Sequence, residues 1–70
     1  MNNNILFFLN GYQFSIYKDL TLIDILQYFN YNDNLFVIEY NNLIYDRTEW
    51  SNITIKSNDT IEIITIVGGG

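Results

Sequence analysis

Asn10-Gly11 sits between two apolar runs, Ile5-Leu6-Phe7-Phe8-Leu9 before it and Tyr12-Gln13-Phe14-Ser15-Ile16 after it. A two-residue type I′ turn needs positive φ at both central positions, and Asn-Gly meets that need with little strain. The dipeptide therefore predicts a hairpin, and a turn of fixed length also fixes its register. Leu9 faces Tyr12, Phe7 faces Phe14 and Ile5 faces Ile16. These six side chains share one apolar face, which is expected to be core. Leu6 pairs with Ser15 and Phe8 with Gln13 on the other face, so Leu6 and Phe8 are expected to point away from the core.

The next segment changes period. Leu22, Ile25, Leu26 and Phe29 follow the i, i+3, i+4, i+7 spacing of one helical stripe. Thr21 is the expected N-cap, with Asp24 in the capping-box position three residues on. Leu20 and Ile25 occupy the staple positions, and Asn30 can take the left-handed conformation that ends a helix. Residues 31–34 read as a polar loop.

Residues 35–40 return to strand formers, and Asn41-Asn42 predicts a second turn into a short strand at 43–45. Residues 46–50 have turn and helix-turn character. Trp50 is expected to be a lid on the core with Tyr45 nearby. Residues 53–55 suggest a brief edge strand, and Ser57-Asn58-Asp59 a turn. The last strand is expected at 60–67, with Ile61, Ile63 and Thr65 on one face and Glu62, Ile64 and Ile66 on the other. Hairpin, helix and further strands within 70 residues imply an α+β fold, one helix on one face of a mixed four- to five-stranded sheet. A single β-rich domain over 1–67 and a flexible tail over 68–70 follow.

Composition narrows the chemistry. The chain has no Cys and no His, which removes disulfides, ordinary zinc or iron–sulfur sites, thiol nucleophiles and imidazole bases. A chain this short buries only about 60% of its unfolded surface, so its stability must come from aliphatic and aromatic packing. Nothing poises the carboxylates as an acid–base pair, which argues against a self-contained enzyme. The net charge is −5, with Lys18, Arg47 and Lys56 the three cations. That argues against a nucleic-acid partner and permits partners with basic surfaces, although acidity also serves solubility. No run is long enough to span a bilayer, and the amino end lacks the basic side chain of a signal peptide. The many Asn, Ile, Tyr and Phe residues have AT-rich codons, pointing to an AT-rich genome such as an organelle's or that of some bacteria.

The chain closes Ile66-Val67-Gly68-Gly69-Gly70. Three residues without Cβ can thread a narrow channel in an extended shape, and they end in a carboxylate on Gly70. A terminal glycine run also fits a frayed end or an expression scar. The domain before it decides between the two.

That domain resembles a known family. Asp19-Leu20-Thr21-Leu22 with Ile25-Leu26, Ile38-Glu39-Tyr40-Asn41-Asn42-Leu43-Ile44-Tyr45-Asp46-Arg47 with Trp50, and Asn58-Asp59-Thr60-Ile61-Glu62-Ile63-Ile64 through the final glycines are similar to segments of the ThiS sulfur carriers. Asp46 and Asn58 depart from the Pro and Gly common there. The resemblance implies a ubiquitin-like β-grasp fold and a role in making the thiazole of thiamine. It also implies that Gly70 is adenylated and then converted to a thiocarboxylate, with Gly68 and Gly69 threading into partner pockets. The implied partners are an E1-like adenylating enzyme of the ThiF type, which uses ATP, a thiazole synthase of the ThiG type, and a sulfur donor fed by a cysteine desulfurase. No cofactor of the chain's own, no membrane and no nucleic acid are expected. Alternatives are a molybdopterin-type carrier and a ubiquitin-like protein modifier. The expected setting is cytoplasm, or plastid stroma if the gene is an organelle's.

In a β-grasp sheet the first and last strands are parallel neighbours. The face away from the helix would then gather Leu6, Phe8, Ile64 and Ile66 into a docking patch, unless a covering loop or a second copy occupies it. Arg47 is a further docking candidate, or else a solvated surface charge.

Overall fold

The computed structural model describes residues 4–31 and 36–65. Expectations for the amino end, for the loop and Leu35 before the third strand, and for Ile66, Val67 and the three glycines lie outside the described residues.

The hairpin forms with the expected register. β1 (Ile5–Leu9) and β2 (Tyr12–Ile16) are antiparallel, with Ile5 opposite Ile16, Phe7 opposite Phe14 and Leu9 opposite Tyr12. Asn10 and Gly11 both have positive φ, 51° and 84°, as a type I′ turn requires.

A helix, α1 (Leu22–Tyr28), follows. Its capping box is complete: the Asp24 N–H donates to Thr21 Oγ1 at 3.2 Å, and the Thr21 N–H donates to Asp24 Oδ2 at 2.9 Å. Two orphan N–H donors at the helix start are thereby satisfied within the first turn. At the other end Asn30 adopts φ 60°. The Tyr31 N–H donates to the Leu26 carbonyl at 2.9 Å and the Asn30 N–H to the Gln27 carbonyl at 3.1 Å, the paired bonds of a Schellman motif. A helix of seven residues is too short to persist alone. It persists here because Leu22, Ile25 and Leu26 are buried against the sheet.

β3 (Phe36–Tyr40) and β4 (Leu43–Tyr45) form a second hairpin, turned by Asn41 and Asn42 at φ 51° and 73°. A 3-10 helix (Arg47–Asn52) then leads through a turn to β5 (Thr60–Thr65). The sheet has five strands in the order β2-β1-β5-β3-β4, with β1 and β5 parallel and every other pair antiparallel. Residues 53–55 do not form the expected edge strand. They make one isolated bridge, Thr54 to Thr21. The Leu22 N–H donates to the Ile53 carbonyl and the Ile55 N–H to the Leu20 carbonyl, so the segment ties the start of α1 rather than extending the sheet.

The core lies between α1 and one face of the sheet. Phe7, Leu22, Ile38, Ile55 and Ile61 are its most deeply buried side chains, each worth about 1.5–3 kcal/mol of burial. Trp50 closes one end as expected, stacked on Phe36 with its indole N–H donating to the Tyr45 carbonyl at 3.1 Å. One member of the expected core face is not core: Tyr12 is 72% exposed. It sits at the turn end of an edge strand and is not among the side chains packed against the core.

Candidate functional site: the last strand and the face beside it

β5 occupies the middle of the sheet, held on both sides. From β1, the Phe8 N–H donates to the Asp59 carbonyl and the Asn10 N–H to the Ile61 carbonyl, each at 2.8 Å. From the β3–β4 turn, the Asn41 N–H donates to the Thr60 carbonyl at 2.8 Å, and Asn41 Oδ1 accepts from the Thr60 N–H at 2.9 Å. Asn10 Oδ1 accepts from the Ile63 N–H at 2.8 Å. The two turn asparagines therefore use their side chains to fasten the strand as well as their backbones to reverse the chain.

The root of β5 is a buried carboxylate. Asp59 accepts from the Tyr40 hydroxyl, from Asn41 Nδ2 at 3.1 Å and from the Lys56 N–H at 2.7 Å. Burial and the bond to Asp59 push the Tyr40 hydroxyl well above the usual tyrosine range. The carboxylate is satisfied by its donors and serves as a peg. Sequence reasoning missed this cluster. Local sequence places Asp59 only in a turn, and no spacing rule links it to Tyr40 nineteen residues away.

β5 outruns its neighbour. β1 ends at Leu9, whose partner on β5 is Ile61, whereas β5 continues to Thr65 opposite Phe36. Ile64 and Thr65 are exposed, and in sequence they lead on to Gly68, Gly69 and Gly70. Those glycines and Ile66 lie outside the described residues.

The other candidate residues divide. Leu6, Phe8 and Ile64 all lie on the sheet face away from α1, as expected. Leu6 is 40% and Ile64 42% exposed, while Phe8 is half-buried. Register separates them, because Phe8 pairs with Thr60. Ile64 is four residues further along, about 13 Å at the rise of a strand. Its direct neighbour is Val37, and one strand-pair along Ile44 lies opposite Glu39. Val37 and Ile44 thus join the apolar face, and strand alternation was the signal that could have found them. Arg47 is not on that face. Its guanidinium lies 5.2 Å from the centre of the Trp50 ring, and it lines a groove with Ile23, Gln27 and Tyr31 on the helix side.

Among the described residues no three acidic side chains come close enough together to hold a metal. No described helix is long and apolar enough to cross a membrane. What the described residues provide is a last strand hydrogen-bonded on both sides and anchored at Asp59, beside a partly apolar face.

Known proteins agree with this geometry. The crystal structure of the thiamine biosynthesis protein ThiS from Geobacter metallireducens is similar to the chain with a TM-score of 0.81 at 20% identity, covering 94% of this chain and all of that one. At that identity the likeness concerns the fold, a ubiquitin-like β-grasp. Relatives in sequence go by the name ycf40. The protein from Trieres chinensis is 48% identical over 64 residues, covering 91% of this chain and 88% of its own length. That from Porphyra purpurea is 36% identical over 70 residues, covering 100% of this chain and 99% of its own length. The model of the ThiS family matches residues 7–70, from the first buried phenylalanine of β1 to the final glycine, so the chain belongs to the ThiS family and is a ThiS-like sulfur carrier.

Proposed function

We propose that the chain carries sulfur for the thiazole ring of thiamine, on a thiocarboxylate made from the Gly70 carboxylate. The observation that supports this most directly is the family match running to the last glycine, beyond a strand that is locked at its root by Asp59. A carboxylate is a poor electrophile, so activation comes first. Its oxygen attacks the α-phosphate of ATP in an E1-like adenylating enzyme of the ThiF type, forming a mixed anhydride and releasing pyrophosphate. A persulfide supplied through a cysteine desulfurase then attacks the acyl carbon and displaces AMP, and a thiol reductant cleaves the S–S bond of the resulting acyl disulfide to free the thiocarboxylate. A thiazole synthase of the ThiG type takes the sulfur. Gly68 and Gly69 let the end enter these pockets because neither has a Cβ to clash. The carrier contributes the carboxylate and the handle, and the nucleotide stays with the partner.

The adenylating partner reads the exposed sheet face, with Leu6 and Phe8 at one end and Ile64, followed by Ile66, at the other. The ycf40 names of the relatives in algae and the AT-rich residue usage support a plastid setting. The deciding experiment incubates the chain with the adenylating enzyme and ATP and follows pyrophosphate release, then weighs the product. The expected result is release with the full chain, none with Gly70 deleted, and replacement of one terminal oxygen by sulfur once the donor is added. Pyrophosphate release that persists without Gly70 would overturn the reading.

A further inference from the structure

The sheet has two outer strands, β2 and β4, and they differ. β4 has three residues, and so short an edge is a weak template for another strand. β2 has five, Tyr12-Gln13-Phe14-Ser15-Ile16, paired along their whole length with β1. It has no charge, no proline and no bulge, the usual devices that protect an edge.

The outward-pointing groups of β2 can be named. Leu6, Phe8 and Asn10 turn their backbone groups toward the β5 side, since the Phe8 and Asn10 N–H groups donate there and the Leu6 carbonyl accepts from Asn58. By alternation, residues 5, 7 and 9 bond to 16, 14 and 12. The N–H and C=O groups of Gln13 and Ser15 therefore face away from the sheet. Beside this edge, between β2 and α1, lies a groove of about 520 Å³ walled by Phe14, Ile16, Tyr17, Leu20, Tyr28 and Phe29. Its one carboxylate, Asp24, is engaged with Thr21 in the capping box.

We propose that the edge of β2 pairs antiparallel with β2 of a second copy of this chain, about a twofold axis through Phe14. Complete overlap of the two strands sets Gln13 opposite Ser15 of the other copy, and Ser15 opposite its Gln13. These are the residues with free backbone groups, so four N–H···O bonds form. Phe14 meets its own copy across a non-hydrogen-bonded pair, where side chains approach most closely. Tyr12 of one copy falls beside Ile16 of the other, at the mouth of the aromatic groove. That gives an apolar environment to a side chain that alternation assigns to the core side yet is 72% exposed.

Charge selects a like partner. All eight acidic residues lie from Asp19 onward, and the first eighteen positions carry one charged side chain, Lys18. A chain of net charge −5 would repel its copy at most surfaces, but the hairpin edge is free of carboxylates. In the overlapped register each Lys18 stands beside Asn10 of the other copy, so the cations are also kept apart. The two β5 strands then run in opposite directions.

Sedimentation velocity from micromolar to millimolar protein tests this, on the wild type, Ser15→Pro and Gln13→Lys. Proline at 15 removes an outward N–H that the hairpin does not use, a placement edge strands tolerate. It deletes two of the four new bonds, so about tenfold or more protein is needed for the same dimer fraction. Gln13→Lys acts on the same edge through charge and covers the case in which proline disturbs the fold, which far-UV circular dichroism reports. The expected result is a wild-type mass rising from one chain to two and, for both variants, the same rise displaced to concentrations about tenfold or more higher. A wild type that stays a single chain throughout overturns the proposal, as does dimerisation of both folded variants at the wild-type concentration.

Discussion

At the scale of single residues, asparagine does in this chain what glycine does in many others. Every described non-glycine residue with positive φ is an asparagine: Asn10, Asn30, Asn41, Asn42 and Asn58. Its short amide tolerates the left-handed region, and at Asn10 and Asn41 the same amide then fastens β5, which glycine could not do. The most consequential polar residue pair is Tyr40 with Asp59. The raised Tyr40 hydroxyl, caused first by burial and then by the bond to Asp59, has a definite pH signature. The folded state holds that proton more tightly than the unfolded state, whose tyrosine titrates near 10. The contribution is complete below pH 10 and is lost as pH rises through the folded-state value. Tyr40→Phe is expected to cost about 1–2 kcal/mol at neutral pH. In urea titrations the gap between wild type and variant should narrow above pH 10; a gap of constant size there would contradict the assignment.

Among the elements, α1 has the least support of its own. Seven residues gain little from propensity, so the caps matter more than they would in a long helix. Thr21→Ala is expected to lower stability by about 1 kcal/mol with no change in fold, measured by urea denaturation. Asn30→Gly should be tolerated at φ 60°, whereas Asn30→Ala should cost about 1 kcal/mol. These elements were legible in the sequence because their signals are local: Asn10-Gly11 for the first hairpin, Thr21 and Asp24 for the helix start, Asn30 for its end. What was not legible depends on distant chain. Residues 53–55 look like a strand, with β-branched side chains throughout, yet their backbone groups are taken by Leu20 and Leu22. Tyr12 alternates onto the core side, but whether the helix reaches it is set by where α1 packs.

For the whole molecule, the sheet order decides what a partner can see. Alternation correctly assigns Leu6, Phe8 and Ile64 to one face, but the offset between parallel strands has no turn to fix it. The sequence could not reveal that Ile64 stands beside Val37 rather than Phe8. Two carboxylates, Glu39 and Glu62, face each other across β3 and β5 on that same face, between its apolar ends. Phe8→Asp with Ile64→Asp is expected to reduce the rate of adenylation by about tenfold or more, since each replaces apolar contact with a charge that must be desolvated. The urea midpoint serves as the check on folding, and undiminished adenylation by a folded double variant would remove this face from the docking surface. The position of β5 has one further consequence, for synthesis. The strand nearest the carboxyl end fills the gap between β1 and β3, so the sheet stays in two halves until the ribosome has delivered residues through Thr65. A prematurely terminated product cannot close, and the cell's proteases meet it unfolded. Any compact molecule therefore already contains residues 60–65, and assembly of the domain doubles as an inspection that its closing strand has been made.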